Sequence, residues 1–520
     1  MDHHTEQHAE DVPMMPKTTG GSIDMQKMHH DPANMVSHTL SPEDPDNPMN
    51  WPTHRKLFAS AVAWAMSFTV AFGLTIYSSA IPQIIERFDV TMTQAISGFS
   101  LYLFGIFFAP IYTPHLSERH GRSIIYLFSI ACCGLFHLGA ALSNSFASLA
   151  VCRFFAGLFG GPCLVLIEGT FADIWSAETT NTYYAFLAIS AYIGTAAGPV
   201  VGNFVVQAGG WQWAEWTVTI LALVTFAFGV GMPETYGREI PRRRNKARGL
   251  APPHQPPAES GITLAQMATI TVVNPLKQLA LEPIVAMVAF TLALNWGAAF
   301  QFFITVPVVL SSVYGFSPQR VGLAFIGAIG GSILAALCTI AIEQAIYRSC
   351  KSTMAIEKRL IPAMYGGVMI TASLFWIGWT ADPKIHYLSP IFGTAVFIWG
   401  SMSVLLSLVT YLFDAYPPAG TLSALTAAAC VRIATAGIIP LVIIPAFMNL
   451  GGNWALSILG FISVPCLAVP VVLYKWGPAL RARSPYTRSP SIHSHMPLRG
   501  DMMAMEGSAY EGAPMHNMQV

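Results

Sequence analysis

Charge is what this 520-residue sequence has least of. Asp, Glu, Lys and Arg together make up 10% of it, against about a quarter in soluble domains, while 53% of the residues are hydrophobic and mean hydropathy is +0.51. So few charges cannot cover a soluble fold of this size, and the apolar area must be hidden in lipid. That excludes a nucleic-acid binder, a secreted disulfide scaffold and a disordered protein. Neither sign is in excess, with 27 basic residues against 27 acidic ones, so net charge names no partner. No Walker-type G-x-x-x-x-G-K-[ST], no dinucleotide glycine fingerprint and no H-E-x-x-H occurs. Direct ATP coupling and the commoner enzyme chemistries therefore have no support, and neither an enzyme nor a cofactor is expected. The eight cysteines have no paired or metal-ligand spacing and, apart from Cys350, lie in long apolar runs, where they read as small buried hydrophobes. A cleavable signal peptide is also missing, so the first span is expected to act as the signal anchor. Six histidines fall among the first fifty residues (His3, His4, His8, His29, His30 and His38), but their irregular spacing reads as a solvated disordered tail rather than a metal site.

What the sequence does have is apolar runs of the roughly 20 residues a helix needs to cross about 30 Å of hydrocarbon. Six lie near 57–80, 95–115, 123–143, 147–170, 183–207 and 213–232, and six more near 284–306, 319–342, 362–380, 388–413, 420–446 and 453–474. Between the sets runs a polar stretch, 233–282, with Arg242, Arg243, Arg244, Lys246 and Arg248 ahead of a proline-rich piece. The fold expected is an all-α membrane protein of twelve transmembrane helices in two six-helix pseudo-symmetric halves, each built of inverted three-helix units. Its divisions are a disordered cytoplasmic tail at 1–55, an N-terminal half at 56–232, a cytoplasmic linker at 233–282, a C-terminal half at 283–475 and a disordered cytoplasmic tail at 476–520. With both termini inside, 22 basic residues fall in the termini and even-numbered loops and three in odd-numbered loops (Arg87, Arg320 and Lys384), as the positive-inside rule requires.

The remaining two basic residues, Arg153 and Arg432, lie within spans, where an unpartnered charge costs several kcal/mol. Each needs a partner, and each is open to two readings, a functional charge or a structural ion pair; for Arg153 snorkelling to the outer interface is a third. Among carboxylates only Glu168 stands convincingly inside a span. Apolar surroundings favour a protonated carboxyl, the property a proton carrier needs, although Glu168 is also placed to be solvated at the inner mouth or to touch a cationic substrate. It is fifteen residues from Arg153, about 22 Å along a helix, too far for the two to pair.

Two strings carry a mechanism. Leu116-Ser117-Glu118-Arg119-His120-Gly121-Arg122 is a tight charged turn after the second span. It resembles motif A of the major facilitator superfamily, with Pro114 where the leading Gly is usual and Glu118 for the common Asp. The resemblance implies a cytoplasmic latch in which Glu118 and Arg122 meet Asp173 at the inner end of span 4 and stabilise the outward-facing state, with Arg119 and Gly121 shaping the turn. In span 5, Gly194, Gly198 and Gly202 recur at spacing four around Pro199, which lets two helix backbones approach and invites a bend. This run resembles motif C, which marks the antiporter branches of that superfamily, with Asn203 for its second Gly. Arg153 matches the motif B arginine, implicated in proton coupling.

Further strings are similar to those of the twelve-span fungal drug:proton antiporters, which include polyamine, cycloheximide and azole exporters and toxin-cluster pumps. These are Asp44-Pro45-Asp46-Asn47-Pro48-Met49-Asn50-Trp51 before span 1, Trp211-Gln212-Trp213 before span 6, Pro233-Glu234-Thr235-Tyr236 after it, Tyr411-Leu412-Phe413-Asp414-Ala415-Tyr416 closing span 10 and Tyr474-Lys475-Trp476-Gly477 closing span 12. In that family Asp414 implies a cytoplasmic gate, and spans 1, 4, 7 and 10 imply a midplane cavity for which Phe72, Asn295, Gln301, Trp399 and Arg432 are candidate lining residues, each also open to a packing role. The resemblance implies a monomeric, proton-coupled efflux transporter of the plasma membrane for drugs, polyamines or a fungal secondary metabolite. A proton-coupled importer on the same fold and a non-transporting receptor are the alternatives.

Overall fold

In a computed structural model the chain is described over residues 43–175, 177–249, 268–350 and 356–487, and every regular element among them is helical. The histidine-rich stretch 1–42, the proline-rich part of the linker and the C-terminal stretch from 488 lie outside the described residues. The spans run Thr53–Phe88 (span 1), Met92–Phe107 with Ala109–His120 (2), Arg122–Ala141 (3), Phe146–Ile174 (4), Ala177–Gly209 (5) and Gln212–Gly229 (6). The second half continues with Pro283–Ser312 (7), Pro318–Ile342 (8), Ile361–Thr380 (9), Leu388–Ala415 (10), Pro418–Leu450 (11) and Gly452–Arg483 (12).

Ten of these helices are long and apolar enough to cross a bilayer on their own. Span 2 does so as a bent pair with 42° between its parts. The bend has a cause in Pro110, which opens the second part without an N–H to continue the ladder of the first. Span 6 is 18 residues long, carries Glu215 in its first turn and is not among the helices that meet that length and apolarity. Local chemistry sets the breaks. Thr91 and Gln94 form a reciprocal capping box at the start of span 2, Ser145 caps span 4, and Asp89 ends span 1 in the left-handed region at φ 51°.

Packing repeats with a period of six spans. Span 1 packs on 5 as 7 packs on 11, and span 3 packs on 4 as 9 packs on 10. Span 2 packs on 4 as 8 packs on 10, and span 3 on 6 as 9 on 12. The halves meet along spans 2 with 11 and 8 with 5, and these two interfaces are themselves exchanged by the same shift. The expected two pseudo-symmetric six-helix halves are therefore present. Residues 43–51, counted in sequence with the tail, form a turn and a 3-10 segment at the end of the bundle that carries the 117–122 turn. There Arg244 reaches Asp44 at 3.1 Å and Asp46 at 3.4 Å, and Trp51 is buried with Ala59 and Ile174. The linker contributes two helices, Glu239–Ala247 and Asn274–Leu281, to that same end.

Without a hydrophobic drive between helices in lipid, close backbone approach is what joins them. Spans 2 and 4 touch through two glycines. A Cβ on Gly105 would stand 2.2 Å from the Phe154 carbonyl oxygen, and one on Gly157 would stand 2.0 Å from that of Tyr102. Gly330 in span 8 has nothing within 4 Å of its own added Cβ. Gly157→Ala should therefore destabilise the detergent-solubilised protein by about 1–3 kcal/mol through overpacking. Gly330→Ala should stabilise it by about 0.5–1 kcal/mol through helix propensity. Thermal unfolding of the two variants reads the sign, and equal effects would contradict the backbone contact.

Candidate functional site

Four groups of side chains matter, and the first lies at the end of the bundle where most basic residues are. Gly121 has φ +82°, and a Cβ there would stand 2.3 Å from Glu234 Oε2, so the turn has need of glycine on both counts. Arg122 is ion-paired with Asp173, its Nη2 donating to Oδ1 at 3.1 Å and its Nε standing 2.8 Å from Oδ2. Its guanidinium lies against Gly169, where a Cβ would come within 1.7 Å of Nη1.

Of the expected set, the structure brings Arg122 and Asp173 together but not Glu118. That side chain is 54% exposed and stands 3.8 Å from His115. It lies three residues from His115 on one helix, hence on the same face, and Gly121 turns the chain before Arg122 begins the next span. Arg119 contributes its carbonyl, which accepts from Arg242 at 3.1 Å. The place given to Glu118 is filled by Glu234 of the Pro233-Glu234-Thr235-Tyr236 string. Glu234 accepts from the Arg122 backbone N–H at 2.7 Å and the Ser123 hydroxyl at 2.8 Å, and pairs with Arg243 at 2.8 Å. The second half repeats the arrangement. Arg359, just before span 9, stands 2.6 Å from Asp414 at the end of span 10, and Arg481 of span 12 pairs with Glu357.

The second group is the glycine face of span 5, all of it seated on span 1. A Cβ on Gly194 would be 2.7 Å from the Phe68 carbonyl, on Gly198 2.2 Å from Thr75 Oγ1 and 2.7 Å from the Ile76 nitrogen, and on Gly202 2.7 Å from Ser79 Oγ. Spacing four thus puts three contacts in one line. Pro199 turns its carbonyl toward Gly322 of span 8, and Asn203, the departure from the motif, donates to that carbonyl at 2.8 Å.

The third group lies at mid-depth. Phe72 is buried and stacks on Phe68 at 5.9 Å. Asn295 donates to the Ser401 carbonyl at 3.0 Å, and the Ser401 hydroxyl meets the Tyr192 hydroxyl at 3.1 Å, a polar thread from span 7 through span 10 to span 5 of the other half. Gln301 is fully buried and accepts from Thr305 at 2.7 Å. Arg432 stacks on Trp296, with its guanidinium 4.5 Å from the ring centroid. Trp399 is half-buried with its indole N–H directed to no acceptor among the described residues.

The fourth group surrounds Arg153, which is 0% exposed rather than snorkelling. It donates to the carbonyls of Gly73 at 2.8 Å, Leu74 at 3.1 Å and Gly98 at 3.3 Å, lies between the rings of Tyr77 and Tyr102, and reaches Glu215 at 3.4 Å. Glu215, 1% exposed, is the partner the sequence left unnamed, and His137 Nδ1 stands 2.5 Å from its other oxygen. Glu168, by contrast, is half-buried next to Gly169 and within two turns of Asp173, far along span 4 from Arg153. Glu215 escaped notice because it follows Trp211-Gln212-Trp213 near a helix end, where a carboxylate normally reads as solvated. The signal available was an acid two residues after Trp213 facing an arginine at matching depth in span 4.

The sequence pattern described as Major Facilitator Superfamily matches residues 63–438. Polyamine transporter 4 of Saccharomyces cerevisiae is 29% identical over 477 residues, covering 86% of this chain and 72% of that protein. Efflux pump FUB11 of Gibberella moniliformis is 31% identical over 459 residues, covering 86% and 76%. Among solved structures, the peptide transporter POT in complex with sulfate superposes with a TM-score of 0.59 at 10% identity, covering 82% of this chain and 95% of that one. At that identity the likeness is one of fold.

The geometry of the first group sets an expectation. Arg122→Ala and Asp173→Ala, each measured alone and together by thermal unfolding, should show a coupling energy of about 1 kcal/mol or more. Glu118→Ala combined with either should be additive, and the reverse ranking would return Glu118 to the cluster.

Proposed function

Because the chain belongs to the Major Facilitator Superfamily, a multi-pass membrane transporter of small molecules, we propose that it is a proton-driven exporter in the plasma membrane with both termini cytoplasmic. The observation that carries export is the span 5 face. Gly194, Gly198 and Gly202 lie directly on span 1 with Pro199 between them, the arrangement that its resemblance to the antiporter motif calls for. A relative named as an efflux pump supports that direction. The two halves rock about spans 2 with 11 and 5 with 8, and the Asn295–Ser401–Tyr192 thread lies where a midplane substrate site between halves would be. The Arg122–Asp173–Glu234 and Arg359–Asp414 pairs stand at the end that closes toward the cytoplasm in this reading. They lie within each half and brace the helix ends that must move together. Glu168 and Arg153 are the charges of span 4 assigned to proton coupling.

Chemistry at mid-depth favours one substrate class. Arg432 already occupies the Trp296 face, so the ring that would attract a cation carries a positive charge instead. Lipophilic molecules bearing hydrogen-bond acceptors, such as drugs or a secondary metabolite, suit such a site better than polyamines do. The protein works as a monomer, each half completing the other's site.

The test is accumulation of labelled drugs, polyamines and fungal metabolites in cells lacking their own exporters, with and without this protein and a protonophore. Lower accumulation of a lipophilic compound, reversed by the protonophore, is expected, whereas raised accumulation would make the protein an importer and overturn export. In the same assay Glu168→Gln should remove the protonophore-sensitive component with the protein still at the cell surface, and unchanged export would take Glu168 out of the mechanism. Gly198→Leu should lower export at least about tenfold by forcing spans 1 and 5 apart. Full activity there would leave the glycine face without a role in turnover.

A further inference from the structure

His137 is a buried titratable group that the reading above leaves unused. Its ring is 0% exposed in span 3, two residues from Gly139 near the end of the bundle opposite the Arg122 turn. It is four positions from Ala141, the last residue of the span, and Arg153 is eight from the Ser145 cap, so the cluster lies about 6–12 Å in from that end.

The protonation pattern follows from the partners. Nδ1 is 2.5 Å from Glu215 Oε2, and a carboxylate can only accept, so Nδ1 carries a hydrogen. In the neutral ring the lone pair is then on Nε2, and Nε2 has no hydrogen-bond partner among the described residues. It lies against Gly73, where an added Cβ would come within 3.0 Å of it.

The surroundings from each packed element contain few competing charges. Span 4 presents Arg153 and the Cys152 thiol, and span 6 presents Glu215. Span 1 presents Tyr77, whose hydroxyl donates to Ala95, and span 2 presents Tyr102, whose hydroxyl donates to Val70 and whose ring centroid is 5.6 Å from that of His137. Cys133 of span 3 lies 3.8 Å from the Tyr102 hydroxyl. The charges facing the ring are thus one anion and one cation, which cancel while His137 is neutral. Adding one proton to Nε2 breaks no bond, leaves Nδ1–H on Glu215 and takes the cluster from zero to one positive charge. The new Nε2–H then needs an acceptor beside Gly73, whose carbonyl Arg153 already holds at 2.8 Å.

We propose that the proton driving transport binds at Nε2 of His137, with Glu215 as its counter-ion and Arg153 as the group that passes the change in charge to the carbonyls of spans 1 and 2. This rests on the proton-driven reading, and it places the loading site near the face that reading puts outside, where a proton-coupled exporter takes its proton up.

The test reads the ring without any substrate. The purified chain carrying 15N-labelled histidine is followed by NMR from pH 5 to 9, and the His137 signal is identified among the fifteen histidines by its loss in His137→Gln. Should that variant fail to fold, Gly73→Ala identifies the signal by shifting it, because the added methyl meets Nε2. The expected result is a ring that becomes charged within the pH 5 to 8 window of an imidazole, with the charged fraction at pH 6 reduced about threefold or more in Glu215→Gln. A ring that stays neutral down to pH 5 in a protein with protonophore-sensitive export overturns this site alone. Export indifferent to the protonophore overturns the proton-driven reading, and this proposal with it, whatever the ring does.

Discussion

A guanidinium keeps its charge at any pH a cell reaches, so burying one obliges the protein to bring acceptors to it from every side. Arg153 imposes that obligation on the whole N-terminal half. It draws on carbonyls of spans 1 and 2, a carboxylate of span 6 and two tyrosine rings, and so ties three helices to span 4 through one side chain. Hydrogen bonds to a charged group contribute about 1.5–3 kcal/mol each, which three carbonyls and a carboxylate need to offset a desolvation cost of several kcal/mol. The Gly73 carbonyl is available for a local reason. A 3-10 stretch begins at Tyr77, four residues after Gly73, where a continuing α-helix would have used that carbonyl in its own ladder.

The two halves repeat their packing but not their chemistry. Arg122–Asp173 and Arg359–Asp414 occupy equivalent ends of equivalent spans, and in both halves an arginine at the start of the third span holds an aspartate at the end of the fourth. Around those pairs the signs are exchanged. The residue arriving from the sixth span is an acid, Glu234, in the first half and a base, Arg481, in the second, where it meets Glu357. Deeper in, the N-terminal half holds a complete charged cluster at Arg153, while the C-terminal half holds Arg432 on an indole face. Equivalent scaffolds with unlike interiors are what a transporter needs if one half is to respond to a proton and the other to shape the substrate site.

How much of this was legible in the sequence depended on whether a feature is local. Gly194, Gly198 and Gly202 were readable because spacing four fixes a helix face whatever lies opposite, and all three meet span 1. Arg122 and Asp173 were readable through the resemblance of their strings. Glu118 was placed with them on string position alone, and the φ +82° turn at Gly121 sends its side chain elsewhere. Glu234 and Glu215 were quoted or passed over without a role, because the depth of a residue near a helix end depends on how far neighbouring spans extend past it. Spans 3 and 4 cover Glu215, and nothing in its own string records that. Eleven of the twelve expected spans were legible from hydropathy and meet the length and apolarity of a crossing, one of them as a bent pair, while span 6 is a short helix with Glu215 in its first turn.

Span 1 joins these observations into one mechanical argument. Arg153 holds it at Gly73 and Leu74, and the span 5 glycine face is seated on it at Phe68, Thr75 and Ile76, so the two contacts lie within two turns of the same helix. A change in the charge beside Arg153 therefore acts where span 5 is most closely apposed to its neighbour and where Pro199 weakens the ladder of span 5 itself. The energies are commensurate. Moving a two-state equilibrium from 1:99 to 99:1 takes about 5.5 kcal/mol, and redistributing two or three charge-assisted hydrogen bonds of about 1.5–3 kcal/mol each covers that range. A surface ion pair worth about 0–1 kcal/mol could not. Half-buried Glu168 stands at the other end of span 4, next to the Arg122 pair, so the two charges assigned to proton coupling lie at opposite ends of one helix, and the cluster at Arg153 is the one bonded directly to span 1.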